Sequence, residues 1–408
     1  MKCGLLGRKL GHSYSPQIHK YLGHYTYRLF EIEPEEIGDF IISGDYSGIN
    51  VTIPYKKDVL PYCTKLSETA QKLGAVNTVV RKKDGSIIGH NTDYFGFYSM
   101  LCRSKLNVTS KKVLVLGTGG ASATAQAVLT EQNANVVVIS RNGANNYDNL
   151  YLHADASVIV NCTPVGMYPN TGMSPVNLSQ FPLLEGVLDM IYNPARTKLL
   201  LDAEERGLVS MNGLWMLVAQ AKESAEWFLG KNLDNSLIEK VYLKLKQQMQ
   251  NIVLIGMPGC GKSTVGQILA GKLDKEFADA DKEITDRAGC SIPQIFEKGG
   301  EPAFRTIETD VLSDLGKESG LVIATGGGCV TRDVNYPLLH QNGIIIWIQR
   351  SLSSLAKEGR PLSAATSAEE MYAVRQPMYA RFADFTVLNN GAPEETATEI
   401  TRILGDAE

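Results

Sequence analysis

The sequence has no long apolar run and no excess of basic residues, and each absence excludes a class of function. Without about 18 consecutive apolar residues, no membrane-spanning helix is predicted. The net charge is −4 at pH 7, from 40 Lys and Arg against 44 Asp and Glu, so neither a general nucleic-acid binder nor a membrane-surface binder is expected. The segment Met1–Gly7 reaches a glycine too early for a secretory signal peptide.

Paired cysteines are also missing. The seven cysteines lie singly along the chain, with no C-x-x-C pair. This distribution predicts reduced thiols in a cytoplasm and gives no support for a zinc site. The composition, 44% hydrophobic and 21% charged, is that of an ordinary globular protein, and 408 residues are enough for two or three domains.

Short β-branched segments alternate with helix-compatible segments, which predicts an α/β fold. Strands are predicted at 113–116, 136–139, 158–160, 187–189, 321–324 and 344–348. The polar stretch Lys244–Gln250 predicts a domain boundary at the end of a helical run. The connector is short enough for the two halves to share a nearly continuous helix.

The segment Gly256–Ser263 has the form G-x-x-x-x-G-K-S, between an apolar run and a helix-compatible stretch. This arrangement predicts a nucleotide phosphate cradle, because glycines let backbone N–H groups close around phosphate oxygens. Lys262 is expected to reach the β- and γ-phosphates, and the Ser263 hydroxyl suits Mg²⁺. A chance glycine loop is the alternative. The other predicted cradle residues are Gly256, Gly259, Cys260, Gly261 and Thr264.

A second glycine turn follows the strand at 113–116 and resembles a dinucleotide-binding turn. A lone glycine pattern is weak evidence, but the next strand strengthens it by ending at Arg141. An acidic residue there would bind a ribose 2′-hydroxyl, whereas an arginine accommodates a 2′-phosphate, so NADP is favoured over NAD. The predicted cofactor residues are Gly117, Gly119, Gly120, Ala121 and Arg141.

Polar residues upstream form candidate ligand groups. Ser13 and Ser15 precede a proline that can start a helix, where two hydroxyls suit a carboxylate, although Ser15 could simply cap the helix. Lys56 and Asp93 follow predicted strands and could form a proton-transfer pair. Read singly, Lys56 is expected to be a surface lysine and Asp93 the N-cap of the following helix.

Residues 1–246 resemble the shikimate dehydrogenase family through motifs in family order. They include N-V-T-I-P-Y-K at 50–56, G-A-V-N-T at 74–78, N-T-D at 91–93 and the segment from Gly213 to Gln220. The resemblance implies NADPH-dependent reduction of 3-dehydroshikimate to shikimate, with Lys56 and Asp93 as the catalytic pair and Gly213 at the cofactor. It places these residues around the substrate: Ser13, Ser15, Thr52, Asn77, Asp93, Tyr192 and Gln220.

Two alternating carboxylates, Asp279 and Asp281, are predicted on a strand that runs into a loop. One of them suits Mg²⁺ and the other suits a substrate hydroxyl. The alternative is that both are acids that face the solvent. With G-G-E-P-A-F-R at 299–305, G-G-G at 326–328, R-P-L at 360–362 and R-Q-P-M-Y at 375–379, residues 250–408 resemble shikimate kinase. The resemblance implies phosphorylation of shikimate by Mg²⁺-ATP. It assigns shikimate to Asp281, Arg305, Gly327, Gly328 and Arg375, Mg²⁺ to Ser263 and Asp279, and charge neutralisation to Lys262 and Arg360.

These resemblances predict three domains in one bifunctional enzyme. Residues 1–104, completed by helices at 214–246, form a substrate-binding α/β domain, residues 105–213 a Rossmann-like NADP domain, and residues 251–408 a P-loop parallel α/β domain. The small-molecule partners are 3-dehydroshikimate and shikimate, and the oligomeric state is not predicted. Two alternatives stay open: a regulator that keeps the folds without catalysis, and an enzyme with a changed substrate such as quinate.

Overall fold

The computed structural model describes residues 1–11, 13–355 and 367–406. The chain divides into two compact units. The first comprises residues 1–165, 174–192 and 202–244, and the second comprises residues 166–173, 193–201 and 245–408. Within the described ranges, no helix combines the length and the apolar character needed to cross a membrane.

The first sheet of the first unit is mixed and has six strands. They are β1 (Lys2–Gly7), β2 (Thr26–Glu31), β3 (Gly48–Val51), β4 (Lys65–Leu66), β5 (Thr78–Arg81) and β6 (Ile87–His90). Their order is β2-β1-β3-β5-β6-β4, with β5 antiparallel to both neighbours. The accompanying helices are α1 (Ser15–Leu22), α2 (Ile37–Ser43), α3 (Glu68–Leu73) and α4 (Asp93–Ser104). All four residues of β3 are buried, so the turn after this strand begins inside the unit.

The second sheet of the first unit is parallel, as its β-branched segments predict. Its strands are β7 (Lys112–Leu116), β8 (Asn135–Ile139), β9 (Val158–Asn161), β10 (Gly186–Asp189) and β11 (Val209–Met211), in the order β11-β10-β9-β7-β8. The next helices are α5 (Gly120–Glu131), α6 (Lys198–Glu205), α7 (Leu214–Leu229) and α8 (Ser236–Met249), of which α6 and α8 cross the unit boundaries along the chain.

Helix α7 packs closely against α4, and one glycine permits the approach. A Cβ atom added to Gly96 would lie 2.8 Å from the Met216 carbonyl oxygen and 2.9 Å from Gln220 Cβ. A side chain at Gly96 would therefore push the helices apart. Their contact brings the start of α4, at Asp93, towards Gln220 on α7.

The sheet of the second unit is also parallel. Its strands are β12 (Asn251–Ile255), β13 (Glu276–Asp279), β14 (Leu321–Ala324), β15 (Gly343–Gln349) and β16 (Phe385–Leu388), in the order β13-β14-β12-β15-β16. Its helices are α9 (Lys262–Leu273), α10 (Ala280–Ala288), α11 (Ile292–Lys317), α12 (Asn335–His340), α13 (Ala368–Phe382) and α14 (Pro393–Asp406). Because all five residues of the central strand β12 are buried, the loop after it is held at the carboxyl edge of the sheet, where such folds bind ligands. The predicted α/β class is confirmed.

Helix α11 is broken in its first half. Gly300 has a φ of 67°, which a residue with a side chain rarely adopts, and Pro302 follows it inside the helix. The continuation after this break carries Arg305 and Glu308, which are three residues apart and so lie on one face.

Candidate active sites

Lys56 and Asp93 form an ion pair in the first unit. Lys56 lies in the turn after β3, and Asp93 is the first residue of α4. Lys56 Nζ lies 2.5 Å from Asp93 Oδ2, and the side chains are 26% and 15% exposed. The alternative that Asp93 caps its helix is wrong, because Thr92 is the cap residue and no side-chain cap bond forms. An ammonium held in this way can donate a proton to a group placed beside it.

Asn77 fixes the other oxygen of the Asp93 carboxylate. Asn77 Nδ2 donates to Asp93 Oδ1 at 2.8 Å and to Thr92 Oγ1 at 3.0 Å. Asn77 Oδ1 accepts the backbone N–H of Thr92 at 2.7 Å. Since Asn77 is buried, this amide sets the orientation of the carboxylate.

Ser224 on α7 is the centre of a buried polar cluster beside this pair. Its Oγ lies 2.9 Å from both Thr78 Oγ1 and Thr92 Oγ1, and it accepts a hydrogen bond from Asn50 Nδ2 at 2.7 Å. It donates to the Gln220 carbonyl oxygen at 2.9 Å. The sequence prediction missed Ser224. Its spacing of four residues from Gln220 was the available signal, since that spacing puts both on one helix face.

The segment that contains Ser13 and Ser15 lies beside Tyr192. Ser15 donates its backbone N–H to Ser13 Oγ at 3.2 Å, and the ring of Tyr14 makes an edge contact with the ring of Tyr192 at a centroid distance of 6.1 Å. The alternative that Ser15 caps α1 is wrong, because the cap residue is Tyr14 and it makes no side-chain cap bond. Ser13 and Ser15 are both half-buried, and they lie at the start of α1.

Gln220 and Thr52 complete the predicted substrate set of the first unit, and both are half-buried. Gln220 Nε2 donates to the Leu217 carbonyl oxygen at 2.8 Å, and Gln220 Oε1 lies 3.4 Å from Thr92 Oγ1. Thr52 directly follows β3, four residues before Lys56, and its backbone N–H donates to the Leu6 carbonyl oxygen at 2.9 Å.

The glycine turn after β7 has the geometry of a dinucleotide cradle. Gly117 has a φ of 102°, and its carbonyl oxygen accepts the Ser122 hydroxyl at 2.6 Å. A Cβ atom added to Gly119 or Gly120 would meet no atom within 4 Å, so open space lies in front of the N-terminus of α5. An anionic pyrophosphate fits this space, because the helix N-terminus presents free N–H groups.

The other predicted NADP residues lie at three different places. Ala121 is in the first turn of α5, and Arg141 is exposed in the turn after β8, next to β7 in the sheet. Arg141 donates no hydrogen bond to the described residues, so its guanidinium is available for a 2′-phosphate. Gly213 is the cap residue of α7, where any Cβ atom would overlap the Met190 carbonyl.

The phosphate loop of the second unit is closed around the side chain of Lys262. Gly256, Gly259 and Gly261 have φ values of 145°, 84° and 96°. Lys262 Nζ donates to the carbonyl oxygens of Gly256 at 2.9 Å and Met257 at 3.1 Å. The two loop carbonyls therefore hold the ammonium next to the loop. A phosphate bound there could take the place of these carbonyls as its hydrogen-bond acceptor. Cys260 is buried, whereas Thr264 lines the cavity beside the loop.

Ser263 and Asp279 are paired in a way that fits Mg²⁺. Ser263 Oγ donates to Asp279 Oδ2 at 2.6 Å, and Asp279 Oδ1 accepts the backbone N–H groups of Asp281 and Lys282. The prediction that Asp281 lies on a strand is wrong: β13 ends at Asp279, which caps α10, and Asp281 is in the first turn of that helix. A hydroxyl and a carboxylate oxygen supply part of an oxygen-ligand set, which Mg²⁺ completes with water and phosphate oxygens.

Arg305 and Arg375 approach the glycine segment 326–328. A Cβ atom at Gly328 would overlap the Arg305 guanidinium, and Arg375 Nη1 donates to the Gly327 carbonyl oxygen at 3.1 Å. A cavity of about 430 Å³ lies between these groups, the phosphate loop, both aspartates and Arg350. Its size suits small ligands.

Glu308 is a buried acid in the lining of this cavity. It accepts Arg305 Nη1 at 2.8 Å through Oε2, while its Oε1 has no hydrogen-bond partner. Burial raises the pKa of Glu308, the Arg305 charge lowers it, and the Asp281 carboxylate raises it further. Glu308 was also missed from the sequence, although its spacing of three residues from Arg305 is visible there.

Arg360, which the kinase resemblance assigns to charge neutralisation, lies outside the described residues, as do all residues from 356 to 366.

Comparison with known proteins identifies both halves. Two family models match: the shikimate dehydrogenase substrate binding domain over residues 5–79 and shikimate kinase over residues 258–405. The shikimate dehydrogenase (NADP(+)) of Clostridium perfringens strain 13 is 36% identical over 265 residues, covering 60% of this chain and 97% of that protein. The chain belongs to the shikimate dehydrogenase family.

Solved structures agree with this assignment over the same part of the chain. Shikimate dehydrogenase 1 from Peptoclostridium difficile is 37% identical with a TM-score of 0.55, covering 60% of this chain and 97% of that one. A chorismate mutase/shikimate 5-dehydrogenase fusion protein from Clostridium acetobutylicum is 36% identical with a TM-score of 0.57, at the same two coverages. This shikimate dehydrogenase family member therefore carries a shikimate kinase domain after its dehydrogenase part, as both resemblances predicted.

Proposed function

We propose that the protein catalyses two consecutive reactions: NADPH-dependent reduction of 3-dehydroshikimate to shikimate, and ATP-dependent phosphorylation of shikimate to shikimate 3-phosphate. One observation carries the proposal. A single chain holds both the Lys56–Asp93 pair and the Lys262, Ser263 and Asp279 groups around a phosphate loop. A regulator derived from these folds would have no need to keep the proton donor and the metal-binding groups together with the ligand-binding ones.

In the reductase site, NADPH supplies a hydride to the ketone carbon of 3-dehydroshikimate. Negative charge then develops on the ketone oxygen, and the Lys56 ammonium donates a proton to it. Asp93 holds the ammonium in place while Asn77 holds Asp93, so the donor is oriented before the substrate arrives.

The substrate carboxylate and hydroxyls are assigned to side chains around this pair, which are half-buried except for the buried Asn77. The Ser13 and Ser15 hydroxyls receive the carboxylate near the start of α1, with Tyr192 beside them. Three further side chains bind the ring hydroxyls. They are Thr52, just after β3, Asn77, just before β5, and Gln220 on α7.

In the kinase site, the chain's own groups position shikimate and handle its proton. Arg305 and Arg375 grip the carboxylate, and the backbone at Gly327 and Gly328 lies against the ring. Asp281 accepts a hydrogen bond from the attacking hydroxyl and takes its proton. Ser263 and Asp279 would hold Mg²⁺, which would supply positive charge to neutralise the ATP phosphates. Lys262 leaves its carbonyl partners to follow the transferred phosphoryl group, and Arg360 is proposed to assist it.

We further propose the limits of the domains, the location of the protein and the residues that surround NADP. The limits are 1–104 with 214–246, then 105–213, then 251–408, and the location is the cytoplasm. Gly117, Gly119, Gly120, Ala121 and Gly213 surround the pyrophosphate and nicotinamide side of NADP.

Paired variants of the full chain test the two activities separately. Lys56→Ala should lower NADPH oxidation by about 10²- to 10⁴-fold, the usual contribution of a positioned acid or base, and leave ATP turnover intact. Lys262→Ala should abolish phosphorylation and leave the reductase intact. Lys57→Ala and Lys272→Ala are the controls, because Lys57 is the exposed neighbour of Lys56 and Lys272 is an exposed lysine at the opposite end of α9 from Lys262. Wild-type protein that binds shikimate but turns over neither reaction would support the regulator instead.

A further inference from the structure

Arg350 lies at the edge of the second unit that carries the phosphate loop. It directly follows β15, and β15 pairs in parallel with β12, the strand that leads into the loop. A Cβ atom on Gly256 would overlap the Ile348 carbonyl, so the loop starts against the end of β15. Parallel strands that end together place the residues after them at one ligand-binding edge.

The guanidinium of Arg350 is close to the loop itself. A Cβ atom placed on Gly261 would lie 3.9 Å from Arg350 Nη1. Gly261 is the cap residue of α9, whose first N–H groups point to where phosphate oxygens would bind. Arg350 also lines the cavity of about 430 Å³ that contains the loop. An oxygen bound by these N–H groups is therefore within reach of the Arg350 side chain.

Arg350 differs from the other cations of this cavity because its side chain has no protein partner among the described residues. Lys262 donates to two loop carbonyls, Arg305 to Glu301 and Glu308, and Arg375 to Gly327. The Arg350 Nε atom, by contrast, is buried and makes no hydrogen bond. A buried donor without a partner costs free energy, because it has lost its hydrogen bond to water. A bound anion removes this cost by accepting a hydrogen bond from the donor.

The backbone around Arg350 is held in place. The N–H of Ser351 donates to Asn390 Oδ1 at 3.0 Å, and Asn389 Nδ2 donates to the Cys260 carbonyl oxygen at 2.7 Å. These two bonds tie the end of β15 and the segment after β16 to the phosphate loop. The segment 389–393, which follows β16 beside this part of the loop, has no charged residue and so supplies no basic side chain of its own.

We propose that Arg350 is a nucleotide-binding residue of the kinase site that contacts the polyphosphate chain of ATP and ADP. The planar guanidinium offers several donors in a fixed fork, which matches two phosphate oxygens. Contact with the nucleotide would satisfy the buried Nε donor or its neighbours in the same fork. The inference rests on the proposed binding of ATP at the 256–263 loop.

Calorimetric titration of the full chain with ADP and with inorganic tripolyphosphate tests this contact. Arg350→Ala should weaken both ligands by about 10- to 100-fold, the effect of losing charge-assisted hydrogen bonds. Arg350→Lys should recover part of the loss, because it restores the charge without the fork. The reductase activity of each variant and its KM for shikimate as the phosphate acceptor should stay at wild-type values. Arg287→Ala is the matched control, because Arg287 is exposed and bound to Asp314 outside the cavity lining.

Two results would overturn the inference. One is an Arg350→Ala protein that binds ADP and tripolyphosphate within about twofold of wild type. The other is weakened ADP binding with unchanged tripolyphosphate binding, which would move the contact to the base or ribose. If wild-type protein and the Arg287→Ala control both failed to bind ADP, the kinase assignment itself would fall and this inference with it.

Discussion

Replacing Ser224 with alanine tests whether the buried polar cluster supports the reductase site. The substitution removes one hydroxyl from the side of α7 and leaves the helix backbone unchanged. Alanine has a higher helix propensity than serine, so any loss of stability must come from the lost polar contacts. The kinase unit provides an internal reference in the same molecule.

The structure allows the size of the effect to be worked out. Thr78 and Thr92 keep another partner, since each of their hydroxyls also lies within 3.2 Å of Asn77 Oδ1. Asn50 Nδ2 loses its shortest contact, 2.7 Å to Ser224, and keeps only contacts of 3.2 and 3.4 Å. One poorly satisfied buried amide costs about 1–3 kcal/mol, so we expect a loss of about 2 kcal/mol.

Amide hydrogen exchange, measured on peptides, gives the change in the free energy of local opening for each region separately. A loss of about 2 kcal/mol should speed exchange through local opening by about 30-fold in peptides covering 77–92. Peptides covering 251–255 should not change. The control Ser179→Ala removes an exposed hydroxyl and should alter exchange by less than about 0.5 kcal/mol in either region. Exchange in 77–92 within twofold of wild type would refute the reasoning about Ser224.

Four further predictions follow from single groups. Arg305→Ala should raise the KM for shikimate in the kinase assay by about 100-fold or more and leave the KM for ATP unchanged; an unchanged shikimate KM would refute its role. Arg141→Ala should raise the KM for NADPH by about tenfold without raising that for NADH, as judged by initial rates with each cofactor. Asp279→Asn should raise the Mg²⁺ concentration needed for half-maximal kinase activity, and an unchanged Mg²⁺ dependence would remove Asp279 from the metal site. Burial lowers the pKa of His19 to about 3 from an ordinary value of 6.5, so the unfolded chain binds this proton first as the pH falls. Stability should therefore be lost below pH 6.5, by about 2 kcal/mol at pH 5 from His19 alone, and His19→Gln should flatten that slope in urea unfolding of the first unit.

Much of the fold could be predicted because it depends on local signals. Buried parallel strands such as β12 appear in the sequence as continuous β-branched runs, and the glycine loops mark their own positions. The predicted position of Asp281 was wrong, because the prediction continued the alternating side-chain pattern of a strand to Asp281, whereas the strand ends at Asp279. The side chain of Asp279 accepts two backbone N–H groups and starts a helix there.

The missed residues of the sites depend on contacts between distant parts of the chain. Ser224 accepts a hydrogen bond from Asn50, which is 174 residues away in the sequence. The two residues are in contact only because α7 packs beside β3. Arg350 is next to the phosphate loop because β15 is a neighbour of β12 in the sheet order, which no local pattern gives. Glu308 is the exception, because its spacing from Arg305 was visible along the helix.

The most direct test of the two-reaction account follows one carbon skeleton through both sites. Purified full-length protein is incubated with 3-dehydroshikimate, Mg²⁺, ATP and NADPH that carries deuterium at both C4 positions of the nicotinamide, and the products are analysed by mass spectrometry. The account predicts shikimate 3-phosphate that contains one deuterium and one phosphoryl group in the same molecule, and none when either NADPH or ATP is left out. Conversion that stops at deuterated shikimate would contradict the kinase half of the account, and no deuterium transfer would contradict its reductase half.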